Sequence, residues 1–183
     1  MNTKICLTGL LLALGLSADA ALYQFGTLNG DSAIGIIPDN NTIGLTDAHT
    51  LSGLSWDTTS VILTLSLQSG YSGDLAGYLR LGDLTTSPYY DLTSAVQAQT
   101  LSGPSATTFT VDVTSAFSSQ NPNGTWTLFF SDNSAGAQTT LNGWSLDVTA
   151  VPEPVNVALA LFAAGLVGVG AVRRYRNSSK STR

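Results

Sequence analysis

The side chains that could do chemistry in this 183-residue sequence are one histidine, one cysteine and many aspartates. His49 lies between Thr46 and Thr50, and no Gly-x-Ser-x-Gly nucleophile motif stands near it. A Ser-His-Asp site needs a histidine base beside a nucleophile, so this pattern favours a loop or edge-strand histidine over a catalytic one. Cys6 falls in the first apolar run, so the rest of the chain has no thiolate nucleophile, disulfide or cysteine metal site.

The acidic residues dominate the charge of the central segment. Residues 21–152 contain ten aspartates against one base, Arg80, which gives a net charge of −9. Such a surface repels a phosphate backbone, which argues against nucleic-acid binding. Paired aspartates could serve glycoside hydrolysis, but these stand beside Gly, Ser, Thr or Asn or in turns, which favours turn capping.

The N-terminus has the pattern of a secretory signal peptide. Lys4 is followed by the apolar run 5–16 and then by Ala18-Asp19-Ala20. A short basic region, an apolar core and an Ala-x-Ala exit predict cleavage after Ala20, so that residues 1–20 are removed and the chain is exported across the inner membrane.

The C-terminus carries a second apolar run with basic residues after it. Residues 155–172 are apolar except for Asn156, and at 1.5 Å per residue they span roughly 27 Å, enough for a marginal transmembrane helix. The positive-inside rule then places the tail in the cytoplasm and the acidic body outside. The basic cluster that stops transfer consists of Arg173, Arg174 and Arg176.

The junction before this apolar run is rich in proline. Its prolines fix the φ angle and keep the junction extended, so that it cannot continue into a helix. Together with the span and the basic tail, it resembles the PEP-CTERM sorting signal of bacterial exported proteins. The resemblance implies that an exosortase recognises residues 151–183 and cuts near the tripeptide. The sorting motif consists of Val151, Pro152, Glu153 and Pro154.

The body, residues 21–150, alternates apolar and polar residues over short segments that end at turn-forming residues. This period of two predicts strands with one buried and one solvent-facing side, and no segment shows helical periodicity. The pattern indicates an all-β protein, an antiparallel β-sandwich, followed by the single C-terminal transmembrane helix.

The order of motifs in the body is also distinctive. Ile37-Pro38-Asp39-Asn40 is followed by Gly73-Asp74-Leu75, by Asn123-Gly124-Thr125-Trp126, and by the run 140–146 with Leu141-Asn142-Gly143-Trp144. Over residues 32–149 this series resembles the P domain (P/Homo B) that follows the catalytic domain of kexin- and furin-like subtilases. The resemblance implies an eight-stranded jelly roll without catalytic residues of its own.

Several members of that family bind calcium, and the loop acids of this chain fall where the pattern places theirs. Calcium takes six to eight oxygen ligands, which aspartates, Asn amides and carbonyls supply. The resemblance therefore suggests a calcium ion at Asp39, Asp74 and Asp132, while turn capping by the same residues is the simpler alternative.

The aromatic residues divide into two groups. Trp126 and Trp144 fall on the apolar phase of their strands and are expected in the core. Trp56, Tyr89 and Tyr90 lie in polar stretches or a predicted loop and are candidates for contact with a sugar or a protein.

These features predict an exported, exosortase-sorted surface or extracellular-matrix protein. Its β-sandwich would be a non-catalytic binding or structural module, with exopolysaccharide or another surface protein as its partner. The membrane would hold the C-terminal helix before processing. The alternative is an accessory P domain that acts in trans with a subtilase-type serine protease.

Overall fold

The computed structural model describes residues 18–82, 88–101, 103–152, 158–159 and 161–169. From residue 19 to residue 151, the described segments form nine strands, two short α-helices and two 3₁₀ turns. The helices are α1 (Thr93–Gln97) and α2 (Thr114–Phe117). The strands are β1 (Asp19–Gly26), β2 (Gly35–Ile36), β3 (Asn41–Leu51), β4 (Asp57–Gln68), β5 (Leu75–Leu81), β6 (Tyr89–Asp91), β7 (Ala106–Asp112), β8 (Gly124–Asp132) and β9 (Thr140–Val151).

The strands form two antiparallel sheets. Sheet A has the order β1-β9-β4-β7, with the two-residue β2 also paired to β9, and sheet B has the order β3-β8-β5-β6. Without β2, the eight main strands follow the order of a jelly roll, in which every connection except that from β5 to β6 crosses between the sheets. The all-β, antiparallel sandwich expected from the sequence is confirmed.

The core lies between the sheets and is built from the inward positions that the alternation predicted. In β4 the residues Val61, Leu63, Leu65 and Leu67 are fully buried, and Trp126 and Trp144 are fully buried in β8 and β9. The prediction that both tryptophans belong to the core is confirmed. Trp126 also satisfies its indole N–H by donating to the carbonyl of Pro122 at 2.9 Å.

The two short helices were not predicted from the sequence. Each begins next to an aspartate that accepts a hydrogen bond from a threonine backbone N–H. Asp91 accepts a hydrogen bond from the backbone N–H of Thr93, and Asp112 accepts one from that of Thr114, both at 2.9 Å. The pKa of both carboxyls is lowered, first by hydrogen bonding from the side chains of Thr93 and Thr114 and then by these backbone bonds. Four or five residues are too few to show helical periodicity, so only the Asp-x-Thr spacing could have indicated these helices.

The register of the strands defines two ends of the sandwich. Asp19 lies opposite Ala150, so the chain enters and leaves sheet A at one end, the terminal end. The short loop 52–56 joins β3 to β4 at this same end. Asp132, paired with Asn41 and Leu75, therefore lies at the opposite end of sheet B, the acidic end.

The boundaries of the domain differ slightly from those expected. β1 begins at Asp19 and β9 ends at Val151, so the strands extend beyond residues 21–150 on both sides. Two of the residues in β1 thus lie before the predicted cleavage point. Ser55 donates to the Asp19 carboxylate through its hydroxyl and its backbone N–H, which ties the start of β1 to the loop 52–56.

The predicted transmembrane helix falls partly outside the described residues. Residues 158–159 and 161–169 are helical, and the large apolar residues among them are exposed, with Phe162 66% and Val167 74% accessible. Of the residues that the structure describes, none belongs to a helix with the length and hydropathy needed to cross a membrane.

Candidate functional site

The three aspartates expected to hold calcium all lie at the acidic end. Asp132 is the last residue of β8, Asp74 immediately precedes β5, and Asp39 lies two residues before β3. Asp132 is 1% exposed and accepts a 3.2 Å hydrogen bond from Ser134 N. Asp39 accepts from Gly136 N at 3.0 and 3.2 Å through its two oxygens. The loop after β8 thus closes over these carboxylates.

The electrostatics at this end are unfavourable for a bare carboxylate. Burial raises the pKa of Asp132, and the negative charges of Asp39 and Asp74 raise it further, while the hydrogen bond from Ser134 opposes the shift. A cation here would relieve that repulsion. However, no group of three or more His, Cys, Asp or Glu side chains with metal-binding geometry is found within the part of the chain that the structure describes.

His49 serves packing at the open edge between the sheets. Its Nε2 lies 2.9 Å from Asp47 Oδ2, and its ring stacks on Phe25 with centroids 3.7 Å apart. The same Asp47 oxygen accepts a 2.7 Å hydrogen bond from Trp144 Nε1. β3 is an edge strand of sheet B, so the expectation of an edge histidine is confirmed.

The outer face of sheet B carries a band of large side chains, of which the sequence pattern indicated Tyr89 alone as a contact residue. We call Tyr78, Arg80, Tyr89 and Phe129 the aromatic band. Tyr78 and Phe129 stack across β5 and β8 with centroids 4.9 Å apart and an interplanar angle of 19°. The guanidinium carbon of Arg80 lies 5.1 Å from the Tyr78 ring centroid and 5.9 Å from that of Tyr89. Arg80 therefore makes cation–π contacts with two rings.

The backbone of the neighbouring edge strand makes room for this band. Gly44 has a φ of +65° at an irregularity in the pairing of β3 with β8. A Cβ at this position would approach the Phe129 ring to 2.7 Å. Any larger residue would therefore be strained both by its backbone and by the ring.

The outer face of sheet B is also the less acidic of the two. Among the described outward positions of its strands, the charged residues are Arg80 and Asp91. The outer face of sheet A carries Asp57, Asp112 and Asp147 without a described Lys or Arg. The acidic end adds three more aspartates, whereas on the outer face of sheet B Asp91 lies opposite Tyr78 and borders the aromatic band.

The aromatic candidates from the sequence have different positions. Trp56 is 58% exposed in the loop at the terminal end, and Tyr89 is 60% exposed in the aromatic band. Tyr90 instead packs against the core, so its assignment as a contact residue was wrong. Tyr89 and Tyr90 lie in strand β6 rather than in a loop, and alternation turns only one of them outward.

The aromatic band did leave a signal in the sequence. Tyr78, Arg80 and Phe129 stand on the phase opposite the buried leucines of β5 and β8, where most other positions are Thr, Ser or Ala. Large side chains on the solvent-facing phase of adjacent strands indicate a surface with a role beyond solubility. Because strand pairing was unknown, the sequence could not show that these residues are neighbours.

The predicted export and sorting residues lie mostly outside the described residues. Val151 ends β9 and Pro152 follows it. Glu153, Pro154 and residues 170–183, with the three arginines of the basic cluster, are outside the described ranges, as are residues 1–17.

Three solved structures are similar to this chain. The serine protease of Aeromonas sobria, in its complex with a chaperone, matches with a TM-score of 0.54 and 13% identity, over 75% of this chain and 28% of that one. Latent PorU of Porphyromonas gingivalis matches with a TM-score of 0.41 and 11% identity, over 74% of this chain and 13% of that one. The CBM36-1 domain of a multidomain xylanase from the hindgut metagenome of Trinervitermes trinervoides matches with a TM-score of 0.34 and 12% identity, over 71% of this chain and 96% of that one.

The first of these likenesses shows the fold alone, and the other two, with TM-scores below 0.5, carry no argument. This chain spans about a quarter of the length of the Aeromonas protein that it matches. A comparison with curated proteins gave no match.

A family model matches part of the β-sandwich. The model of the proprotein convertase P-domain matches residues 58–148, which run from the start of β4 into β9. This range lies within the residues 32–149 that carried the resemblance in the sequence. Residues 58–148 of the β-sandwich are therefore similar to the P-domain of proprotein convertases.

Proposed function

We propose that this protein is exported, sorted by an exosortase and displayed at the cell surface or in the extracellular matrix. Its P-domain would act there as a non-catalytic binding or structural module. The observation that carries the proposal is the pairing of β1 with β9, in which Ala21 lies opposite Val148 near the start of β1 and the end of β9. Because of it, the predicted signal peptide and sorting signal leave the domain side by side, at the terminal end.

This arrangement suits a domain tethered at one end. Pro152 follows β9 directly, and exposed apolar residues occupy the helical positions beyond it. While the predicted helix is held in the membrane, the terminal end would face the bilayer. The acidic end would then point away from it, and the outer faces of both sheets would remain accessible.

The site geometry supports a non-catalytic role. His49 is hydrogen-bonded to Asp47 and stacks on the Phe25 ring, and the Asp47 carboxylate also accepts a hydrogen bond from Trp144. Asp91 and Asp112 accept backbone hydrogen bonds at the starts of the helices. These residues have structural partners of the kind that turn capping and core packing require.

The alternative function is that of an accessory domain that works in trans with a subtilase-type serine protease. It is supported by the match of residues 58–148 to the P-domain of proprotein convertases. Co-purification of a subtilase with this chain from its native host, in a stable stoichiometric complex, would favour it. Recovery of the chain without such a protease would favour the module that acts alone.

Calcium at the acidic end remains part of the proposal. Asp39, Asp74 and Asp132 would supply carboxylate oxygens, and the repulsion that raises the pKa of Asp132 supports a cation there. Two of these carboxylates already accept backbone hydrogen bonds, as turn-capping residues do. In this account calcium would stabilise the loop after β8 rather than take part in a reaction.

The intact mass of the protein recovered from the surface of the native host tests both ends of the chain at once. The proposal predicts a chain that begins at Ala21 and lacks the apolar span and the arginine tail. A surface protein that retains Met1 would contradict export by a cleaved signal. One that retains Arg183 would contradict removal of the sorting signal.

A further inference from the structure

We propose that strand β1 closes the signal-peptide cleavage site once the domain has folded, so that cleavage precedes the pairing of β1 with β9. This inference rests on the cleavage after Ala20 in the proposed function, to which it adds an order of events. The bond between Ala20 and Ala21 lies inside β1, with Ala20 opposite Thr149 and Ala21 opposite Val148. In the folded domain, the bond to be cut is therefore part of a sheet.

A peptide bond within a paired strand is a poor substrate for a peptidase. A peptidase has to take an extended stretch of chain into its cleft, whereas β9 covers one edge of β1 and the core contacts its inner face. Residues on both sides of the bond have to leave the sheet before cleavage. The rate for a folded chain then depends on the fraction of molecules in which this segment is open.

Contacts on both sides of the cleavage site oppose such opening. Before the site, Ser55 donates to the Asp19 carboxylate through its hydroxyl and its backbone N–H. After the site, Tyr23 and Phe25 pack against the core. The start of β1 is therefore held at both sides of the bond, unlike a chain end that frays freely.

A pair of glycines fixes the other end of β1 against β9. Gly26 lies opposite Gly143. A Cβ on Gly143 would clash with the carbonyl oxygen of Phe25, and a Cβ on Gly26 would clash with that of Asn142. The two backbones thus approach as closely as only glycine allows, and this contact fixes the register that places the cleavage site within the sheet.

The topology leaves a period in which the site is open. Among the described strands, β9 is the only one that pairs with β1, and it is also the last in the chain. A chain made at about 5–20 residues per second reaches β9 roughly ten seconds after β1. Until then β1 lacks its partner strand, so the segment around Ala20 is accessible to signal peptidase.

Digestion of the folded precursor tests this order. The full-length chain is produced without exposure to signal peptidase, folded in mild detergent and incubated with a purified bacterial type I signal peptidase, and its intact mass is followed. A synthetic peptide of residues 1–30 in the same detergent is the substrate without β9. We expect cleavage after Ala20 in both, at a rate at least about tenfold lower in the folded chain.

Two variants loosen β1 without altering residues 18–21. Ser55→Ala removes the hydroxyl that holds Asp19, and Gly143→Ala forces β1 away from β9. Both should be cut faster than the unchanged chain, with the larger increase for Gly143→Ala. Circular dichroism checks that the variants are folded, and Ser55→Ala, which keeps the glycine pair, carries the test alone if Gly143→Ala does not fold.

Gly136→Ala is the matched control for Gly143→Ala, since a Cβ on Gly136 meets no described atom within 4 Å and the residue lies in the loop after β8. It should be cut at the unchanged rate. Equal rates for the peptide and the folded chain, or for the unchanged chain and the loosened variants, would overturn protection by β1. A peptide that is not cut after Ala20 would instead contradict the cleavage site of the proposed function, and with it this order.

Discussion

Asp47 on β3 joins the two sheets through Trp144 on β9. Its Oδ2 accepts a 2.7 Å hydrogen bond from the indole Nε1 of Trp144, a residue that is fully buried. The same oxygen lies 2.9 Å from His49 Nε2. One carboxylate thus satisfies a buried donor and orients the histidine at the open edge of the sandwich.

Asp47→Ala should lower the free energy of unfolding by about 1–3 kcal/mol, because it leaves the Trp144 N–H buried without an acceptor. Asp47→Asn keeps an acceptor oxygen and should cost less. Urea denaturation followed by tryptophan fluorescence measures both changes. Asp147→Ala, on the exposed face of β9, is the control and should change stability by less than about 0.5 kcal/mol. A loss as small for Asp47→Ala would show that the bond contributes nothing.

Substitution of Trp126 tests whether the inner face of sheet B forms part of the core. Trp126→Ala should cost about 3–5 kcal/mol, since the indole is fully buried and packs against Phe117 with ring centroids 4.8 Å apart. Trp56→Ala serves as the comparison, because Trp56 is 58% exposed. Chemical denaturation of the two variants should give clearly different midpoints. A cost below about 1 kcal/mol for Trp126→Ala would contradict its place in the core.

The sequence allowed a more complete prediction of the buried core than of the side chains that lie together on the surface. Alternation identified the buried residues of β4, β5, β8 and β9, because burial of one face imposes a period of two. The aromatic band depends on which strands pair, and the sequence does not encode pairing locally. Tyr90 shows the same limit, since assigning it required the exact start of β6.

Asp132 should make stability depend on pH. Its pKa is raised in the folded protein, so its favourable contribution is present below the unfolded pKa of about 3.9 and is lost as pH rises through the folded pKa. Asp132→Asn removes the ionisation and should raise the unfolding midpoint at pH 7, with a smaller gain at pH 3. Thermal unfolding at the two pH values measures the difference. A lower midpoint at pH 7 in calcium-free buffer would contradict this account.

The same variant separates calcium binding from turn capping. If calcium binds at the acidic end, millimolar calcium should raise the melting temperature of the unchanged chain and raise that of Asp132→Asn much less. Asp112→Asn, at the start of α2, is the control and should respond like the unchanged chain. Equal melting temperatures with and without calcium would leave turn capping as the role of Asp39, Asp74 and Asp132.

The stability effect of substituting Ser55 depends on where the signal peptide is cut. Ser55 bonds to Asp19, which lies before the predicted cleavage point. If cleavage follows Ala20, Asp19 is lost, and Ser55→Ala should leave the stability of the mature protein unchanged within about 0.5 kcal/mol. Denaturation of the protein isolated from its host measures this. A loss of about 1 kcal/mol or more would indicate that Asp19 remains on the mature chain.

The central claim is that the protein is sorted through the motif at residues 151–154, and Glu153 tests it most directly. Glu153→Gln removes one charge between two prolines and leaves the apolar span and the arginines unchanged. Membrane insertion depends on the span and its basic flank, so both forms should insert alike. Gly165→Ala, within the helix, is the matched control and should be processed normally.

The decisive measurement is the intact mass of the chain released to the cell surface, compared between Glu153→Gln and the unchanged protein in the native host. We predict that the unchanged protein is released without residues 155–183, whereas Glu153→Gln stays full-length at its C-terminus and held in the membrane. Equal release of tail-free protein from both would contradict recognition of the motif. Full-length, membrane-held chains from both would show an ordinary single-pass surface protein.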